Sequence, residues 1–289
     1  GSDLSKHFFT EDVLVERNIP IYEFNPANIQ DNMHIIVGNA FLDDFPEVIA
    51  ARNNPTCIVE RYHEFLGTFL KKYKVVAIAG SHGKTTTTGM LSGVMKEFGN
   101  TGWLIGDGTG HLSQDTEYFC LEACEFRRHF LAYYPEYAII TNVDIDHVDY
   151  FKDEVDYRSA YEQFIPHVSK AVVVFGEDEQ ARMMDFSGKK HYWYGLEEND
   201  DIQAVNVDER MDGMDFDVLF EGKTFAHFSL PFVGHHLLLN SLAVIGICIL
   251  EGVPAEKIEK GLSSFHGEKR RFAVEYHKDS VFVDDYAHH

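Results

Sequence analysis

The segment VVAIAGSHGKTTTTGM (75–90) constrains the fold of this chain more than any other stretch. Its first six residues are apolar without interruption, which is typical of a strand buried on both faces of a parallel sheet. The loop 80–83 contains two glycines, and the run from Lys84 to Gly99 has helical character. A buried strand that passes through a short glycine loop into a helix predicts an α/β fold with helices on the faces of a parallel sheet.

The rest of the chain alternates between strand and helix patterns in the same way. Apolar runs predict strands at 34–41, 57–60, 117–123, 137–143 and 171–176. Amphipathic or apolar periodicity predicts helices at 46–53, 61–73, 153–168, 236–252 and 254–265. Between residues 190 and 232, polar turns separate strand-like runs, and this texture predicts a small antiparallel β insertion; residues 272–286 are typical of a hairpin.

Composition argues against several classes of function. The net charge of −22 disfavours nucleic-acid binding, which requires clustered Lys and Arg to neutralise phosphates. No apolar run approaches the roughly 18 residues of a membrane helix, and no signal-peptide pattern opens the chain. The scattered cysteines favour reduced thiols in a cytoplasmic protein. From the charge and the lack of long apolar runs, no membrane or nucleic-acid partner is expected. The length of 289 residues suits about two domains.

The loop GSHGKTT (80–86) carries the groups that bind phosphate. Glycines let backbone N–H groups curl around phosphate oxygens, and the helix N-terminus adds its dipole. Lys84 can reach the β and γ phosphates of a nucleotide, and the Thr85 hydroxyl can bind Mg²⁺. The usual pattern has glycine six positions before the lysine, where this chain has Ile78, so the loop is a shortened one. The alternative is a glycine turn that only caps the helix, but the strand, loop and helix together favour nucleotide binding.

Two polar segments follow later strands, where open α/β sheets bind their ligands. Glu122 ends one apolar strand, where a lone carboxylate is costly without a cation. The segment TNVDIDH (141–147) follows the next strand and presents oxygen and imidazole groups. Because Mg²⁺ prefers oxygen, His147 fits a magnesium site only if phosphates and waters complete the shell. A solvated carboxylate and a surface histidine remain open as the alternatives for Glu122 and His147.

Four segments in this order resemble the Mur ligase family: GSHGKTTTTG, LEACE, TNVDIDHVDYF, and GEKRRF followed by VDDYAHH. The resemblance covers nearly the whole chain and implies an ATP-dependent amide-bond ligase of peptidoglycan synthesis, with ATP and Mg²⁺ as cofactors. It implies a partial, incomplete Rossmann-like UDP-sugar-binding domain at 1–73 and a P-loop-type central ATP-binding domain at 74–280. Residues 281–289 would begin a third domain. The chain is then expected to lack the extreme N-terminus and that third domain, and to be inactive alone.

The resemblance also implies roles for individual residues. Lys84 would bind the β and γ phosphates, Thr85 and Glu122 the first Mg²⁺, and His147 a second Mg²⁺ that bridges the γ-phosphate and the substrate carboxylate. Asn142 and Asp146 would flank this site and orient its ligands. The residues implied in nucleotide binding are Gly80, Ser81, His82, Gly83, Lys84, Thr85, Thr86, Asn240 and Arg271.

Some of these assignments have open alternatives. Asn240 matches an adenine-contacting asparagine, but His236 stands where the family usually has another asparagine, and Asn240 is alternatively a buried polar residue. Arg271 is alternatively a solvent-facing charge. Arg127 and Arg128 are interpreted as surface charges rather than substrate contacts. Helix 154–168 has no lysine, so the carbamylated lysine of several relatives is not expected, while Asp285 and His288 would belong to the hinge into the third domain.

Within the family, His82 resembles the members that join L-alanine to UDP-N-acetylmuramate, and the relatives that recycle muropeptides by attaching a whole tripeptide. The segments EACEFRRHFLAYYPEYAIITN, GNAF and RYHEFLG favour the alanine-adding members of Gram-positive bacteria. The substrates implied are UDP-N-acetylmuramate and L-alanine, and the expected state is a monomer or weak homodimer. A non-catalytic nucleotide-binding partner subunit is the alternative from another class, which Lys84, Glu122 and His147 disfavour.

Overall fold

The structure is a computed structural model that describes residues 1–4 and 11–265, together with the backbone of 273–277 and 280–284. It divides into two compact units, Gly1–Leu70 and Lys71–His289. The functions predicted for the domains at 1–73, 74–280 and 281–289 stay predictions. Within the described residues, no helix combines the length and the apolar character that crossing a membrane requires.

The first unit contains short parallel strand pairs and helices. Strand β1 (Ser2–Asp3) pairs with β2 (Tyr22–Glu23), and β3 (His34–Val37) pairs with β4 (Ile58–Arg61). Its helices are α1 (Asp12–Glu16), α2 (Pro46–Asn53) and α3 (Tyr62–Leu70). Helix α2 has the predicted bounds because Pro46 lies in its first turn, where a missing N–H costs nothing, and Val48 and Ala51 are buried. The predicted strand at 34–41 ends at Val37, before the turn at Gly38.

The second unit is organised around a ten-stranded mixed sheet in the order β14-β13-β12-β11-β10-β9-β5-β8-β6-β7. Its strands are β5 (Lys74–Ala79), β6 (Thr101–Leu104), β7 (Gly110–His111), β8 (Tyr118–Glu122), β9 (Tyr137–Ile140), β10 (Ala171–Phe175), β11 (His191–Gly195), β12 (Ile202–Arg210), β13 (Gly213–Phe220) and β14 (Lys223–Leu230). Neighbours from β12 to β6 are parallel, and β13, β14 and β7 extend the edges as antiparallel strands. The predicted α/β fold class is confirmed.

Helices of this unit cover the sheet and bury its apolar strands. They are α4 (Lys84–Phe98), α5 (Glu154–Phe164), α6 (Glu179–Arg182), α7 (His235–Leu250) and α8 (Ala255–Ser263). Residues Val75 to Ala79 of β5 are all buried, as a central strand covered on both faces requires. The core joins side chains of α4, α7 and α8 to the sheet. The predicted hairpin is present as β15 (Ala273–His277) paired with β16 (Ser280–Asp284).

The region predicted as an antiparallel insertion differs in detail. Strand β11 pairs in parallel with β10, and β12 in parallel with β11, so both belong to the main sheet. Antiparallel pairing begins only at β13 and continues to β14. Tyr192 and Tyr194 on β11 are buried. Their burial favours a position for β11 inside the main sheet, whereas the polar turns around it had indicated a separate insertion.

The connections place a crevice at the end of β5. Helix α4 carries the chain from β5 past the position of β8 to β6, on one side of β5. After β8, the chain crosses to β9, which lies on the other side of β5. Connections that leave in opposite directions open a crevice at the carboxyl ends of the strands, where ligands of such sheets bind.

Candidate functional site

Three neighbouring strands bring the predicted site residues to one edge of the sheet. The loop 80–83 follows β5, Glu122 is the last residue of β8, and Thr141 and Asn142 follow β9. Because β5 lies between β8 and β9 and all three run in parallel, their carboxyl ends lie side by side. The sequence therefore predicted correctly that these segments come together.

The loop conformation requires glycine at two positions. Gly80 has φ +133, and a Cβ there would lie 2.0 Å from Thr141 Oγ1. Gly83 has φ +80 at the N-terminus of α4, and a Cβ there would lie 3.0 Å from Asn240 Oδ1. Ile78, which stands where a longer loop has glycine, is fully buried in β5 and pairs with β8 and β9. The loop is short because the strand continues through that position.

The segment after β9 holds the loop through its backbone. The His82 N–H donates to Asn142 Oδ1 at 2.8 Å, and the Thr141 hydroxyl donates to the His82 carbonyl at 2.5 Å. The Ser81 N–H donates to the Asn142 carbonyl at 3.2 Å. Asn142 therefore shapes the loop, and Thr141, which the sequence analysis did not single out, does so as well.

Lys84 is folded back over the loop. Its ammonium donates to the Gly80 carbonyl, to the Ser81 carbonyl at 3.1 Å and to Glu125 Oε1 at 3.3 Å. Its Nζ also lies 3.1 Å from Glu125 Oε2 in an ion pair. The Lys84 side chain is 13% exposed and that of Glu125 is fully buried, so little solvent screens this pair.

Thr85 and Glu122 lie together at the start of α4. The Thr85 hydroxyl donates to Glu122 Oε1 at 3.2 Å, and the Gly106 N–H donates to Glu122 Oε2 at 2.6 Å. Thr85 is buried, while Glu122 and Thr86 are half-buried. A hydroxyl and a carboxylate in contact beside a loop that presents backbone N–H groups are a suitable donor set for a hard divalent cation with phosphate and water.

A second group of donors consists of Glu125, Asp146 and His147. One ligand atom of each lies within 4.8 Å of those of the other two. His147 has φ +53, its N–H donates to Asp146 Oδ1 at 2.6 Å, and its Nε2 lies 3.8 Å from Glu125 Oε1. Two carboxylates and an imidazole at this separation also fit a divalent cation.

Glu125 is the charged residue of this site that was not predicted from the sequence. The signal was the second glutamate of LEACE, three positions after Glu122. Tyr157 on α5 donates its hydroxyl to Glu125 Oε1 at 3.2 Å and lies 3.0 Å from the Tyr161 hydroxyl. Burial, reinforced by the Glu125 carboxylate, raises the pKa of both tyrosines, so both hydroxyls remain protonated at neutral pH.

The two arginines that follow Glu125 differ in their surroundings. Arg127 is exposed, as expected. The interpretation of Arg128 as a surface charge is wrong, because its guanidinium binds Asp156 Oδ1 at 2.6 Å and Ser159 Oγ at 3.1 Å on α5. Both arginines have positive φ, of 50° and 59°, so the chain turns sharply after Glu125.

The remaining candidates lie at the other side of the loop or outside the described residues. Asn240 is buried on α7 and faces Gly83, while His236 is exposed in the first turn of that helix. Arg271, Asp285 and His288 lie outside the described residues.

The comparisons with known proteins agree with this geometry. The Mur ligase middle domain matches residues 78–248, and the catalytic domain of the Mur ligase family matches residues 1–74. A UDP-N-acetylmuramate–L-alanine ligase from Pediococcus pentosaceus is 44% identical over all 289 residues, which span 66% of that relative.

Solved structures give the same result. A UDP-N-acetylmuramate-alanine ligase from Thermotoga maritima matches the whole chain and 68% of its own length, with a TM-score of 0.84 and 28% identity. A UDP-N-acetylmuramate:L-alanyl-gamma-D-glutamyl-meso-diaminopimelate ligase from Neisseria meningitides matches 93% of this chain and 91% of its own, with a TM-score of 0.80 and 26% identity. The site geometry, the domain matches and the relative at 44% identity together establish that the chain belongs to the Mur ligase family.

Proposed function

We propose that this chain provides the nucleotide-binding part of an enzyme that joins L-alanine to UDP-N-acetylmuramate with conversion of ATP to ADP and phosphate. One observation carries the proposal: Lys84, the Thr85–Glu122 pair and the cluster around His147 meet at the carboxyl ends of β5, β8 and β9. The 44% identity to a relative of that name supports the choice of substrates. The activity of the whole protein is part of the proposal, because the chain spans 66% of that relative.

ATP would bind with its phosphates in the loop. The N–H groups of Gly83 and of the first turn of α4 would surround phosphate oxygens. Those of Ser81 and His82 already donate to Asn142 and shape the loop. Lys84 would leave the Gly80 and Ser81 carbonyls and bind the β and γ phosphates. Asn240, which faces Gly83, is proposed to contact the adenine, and Arg271 is proposed to lie near the nucleotide.

Two Mg²⁺ sites fit the donors. Thr85 and Glu122 would hold one ion, and His147 would hold the other. Bound Mg²⁺ would neutralise phosphate charge and reduce the repulsion between ATP and the substrate carboxylate. The chain's own part is to fix the positions of these donors, since Gly106 orients Glu122 and Asp146 accepts the His147 N–H.

The proposed reaction has two steps. A carboxylate oxygen of UDP-N-acetylmuramate attacks the γ-phosphorus of ATP, the bond to ADP breaks, and an acyl phosphate forms. The amine of L-alanine then attacks the acyl carbon, loses a proton, and expels phosphate from the tetrahedral intermediate. The first step brings two anions together, and the second develops negative charge on the tetrahedral intermediate. Electrostatic stabilisation and positioning by the site therefore supply most of the catalysis.

Calorimetry on the 289-residue chain tests the nucleotide site. We expect ATP with Mg²⁺ to bind, and Lys84→Met to weaken binding at least tenfold, because the substitution removes the cation that faces the phosphates. Lys74→Met is the matched control, since Lys74 pairs with Glu117 at the opposite end of the sheet. Equal affinity of the Lys84 variant and the control variant would contradict the proposal.

Ligation is tested on the full-length gene product with radiolabelled L-alanine, ATP and UDP-N-acetylmuramate. Alanine-dependent formation of ADP and a labelled UDP-sugar is the expected result. Product formed only from a tripeptide would instead support the recycling reaction, to which the structural match with the Neisseria meningitides ligase is relevant. Nucleotide binding without either product would support the non-catalytic partner subunit.

A further inference from the structure

We propose that Glu125 is a protein ligand of the divalent cation at His147, and that its carboxylate pairs with Lys84 until nucleotide takes that lysine away. The inference rests on the proposed nucleotide function and adds to it a metal ligand and an exchange of partners. Glu125 lies three residues after Glu122, the last residue of β8.

Glu125 is buried in a place where a carboxylate needs a cation. Its side chain is fully buried, and its Oε2 accepts no hydrogen bond of good geometry, although Lys84 Nζ lies 3.1 Å away. An ionised carboxylate in such a place is costly unless cations face it. In the part of the chain that the structure describes, Lys84 and His147 are the basic side chains paired with this carboxylate.

The Lys84 ammonium has three N–H groups, and all three donate within the protein, to two loop carbonyls and to Glu125 Oε1. An ammonium that moves onto the β and γ phosphates of ATP must release partners, and in the proposed exchange Glu125 is released together with the two carbonyls. The buried carboxylate would then have lost its nearest positive charge. A divalent cation among Glu125, Asp146 and His147, whose ligand atoms lie within 4.8 Å of one another, replaces that charge at the same moment.

A buried hydroxyl orients the Glu125 carboxylate. Tyr157 donates to Oε1 at 3.2 Å, and Tyr157 is itself fixed by contacts with Ser81 Oγ at 2.8 Å and with the Tyr161 hydroxyl at 3.0 Å. The hydroxyl thereby fixes Oε1, the oxygen that lies 3.8 Å from His147 Nε2, while Oε2 accepts no hydrogen bond and faces Lys84 Nζ. Carboxylates that bind metals are oriented by such hydrogen bonds.

Electron paramagnetic resonance of Mn²⁺ on the 289-residue chain tests the inference. With the non-hydrolysable nucleotide AMP-PCP at saturation, we expect two bound Mn²⁺ per chain in the unsubstituted protein. Glu125→Gln is expected to weaken the binding of one of the two Mn²⁺ ions at least tenfold. Glu117→Gln, which removes the carboxylate of another Glu–Lys pair, is the matched control and should keep both ions.

A second measurement separates a metal ligand from a residue that only holds the loop. AMP-PCP affinity is measured with and without Mn²⁺. If Glu125 is a metal ligand, Glu125→Gln should weaken AMP-PCP binding only when Mn²⁺ is present. Without metal, the substitution frees Lys84 from its carboxylate partner and should not weaken nucleotide binding. Equal weakening under both conditions, with two ions retained, would overturn the inference and assign Glu125 a structural role.

A misfolded variant, a single bound ion and a lack of nucleotide binding each have a distinct meaning. Circular dichroism checks that Glu125→Gln is folded; if it is not, Glu125→Asp and Asp146→Asn replace it, and retention of both ions at unchanged affinity in both variants would contradict the inference. Binding of nucleotide with a single Mn²⁺ in the unsubstituted chain would refute the inference and leave the proposed function intact. No nucleotide binding at all would refute both.

Discussion

Gly80 has two separate reasons to be glycine, its backbone conformation and its close contact with the segment after β9. Its φ is +133, and a Cβ would meet the Thr141 hydroxyl and the backbone N atoms of Thr141 and Asn142. Gly188 also has positive φ, at +73, but no atom lies within 4 Å of its Cβ position. Gly188 therefore serves as a reference for positive φ without a clash, whereas Gly80 combines a φ that suits only glycine with a close contact.

We expect Gly188→Ala to lower the free energy of unfolding by about 1 kcal/mol, the cost of left-handed backbone. Gly80→Ala should cost at least twice as much, because the new methyl group displaces the segment after β9. It should also abolish ATP binding. Urea denaturation measures the first effect and calorimetry the second. Similar losses of stability in both variants would show that the contact with Thr141 relaxes freely.

Lys84 and Glu125 form a pair whose members depend on each other for stability. Lys84→Met leaves a fully buried carboxylate without its ammonium, and removal of one partner of a buried pair costs roughly 3 kcal/mol. The double variant Lys84→Met/Glu125→Gln should recover most of this loss while ATP binding stays weak. A double-mutant cycle from urea denaturation checks the coupling, and additive losses would contradict it.

At the residue scale, the sequence predicted which segments meet. Glu122 ends β8, while Lys84, Thr85 and His147 lie in the segments that follow β5 and β9, so their convergence could be predicted. Glu125 could not, because its direction depends on the sharp turn that follows it, where Arg127 and Arg128 have positive φ. No short pattern of residue types specifies that turn.

Helices α5 and α6 begin with the same kind of cap but have different consequences for the site. Asp178 accepts the Ala181 N–H at 2.8 Å, and its second oxygen accepts the Val143 N–H at 2.7 Å. It thereby ties the start of α6 to the segment that leads to His147. Asp153 caps α5 through the Asp156 N–H at 2.8 Å.

We expect Asp153→Ala and Asp178→Ala each to lower the free energy of unfolding by about 1 kcal/mol through loss of a helix cap. Asp178→Ala should in addition weaken Mn²⁺ binding in the presence of AMP-PCP, because the segment 143–147 loses an anchor. Thermal unfolding and Mn²⁺ titration measure the two effects. The expectation fails if Asp153→Ala reduces Mn²⁺ binding as strongly.

Element boundaries were predictable where local chemistry decides them. Helix α2 begins at Pro46 and ends at Asn53, as its proline and its Asn-Asn-Pro sequence indicate. The direction of β11 was not predictable, because parallel pairing with β10 depends on contacts with distant chain. Tyr192 and Tyr194 stand at alternate positions of β11, which predicts a strand with one buried face. The pattern does not predict which strand pairs with it.

Across the whole molecule, burial protects two of the four cysteines. Cys120 on β8 and Cys248 on α7 are at most 1% exposed, and burial raises the pKa of both thiols. The reactive thiolate is therefore scarce in the folded protein. We expect Ellman's reagent to modify both only as fast as the second unit opens, and rapidly in concentrated guanidinium chloride. Rapid modification of either thiol in the native protein, located by peptide mass spectrometry, would show that this core is not closed.

The position of β5 at the middle of the sheet has a consequence for the order of folding. Val76 pairs with Cys120 on one side and with Tyr137 on the other, so the strand before the loop gains its neighbours only from much later chain. On the ribosome, the residues up to 84 emerge well before those of β9, and the anchors Thr141 and Asn142 emerge later still. The loop 80–83, although encoded early, is thus completed late. In pulse-labelled hydrogen exchange, the His82 amide should become protected no earlier than the amides of β9.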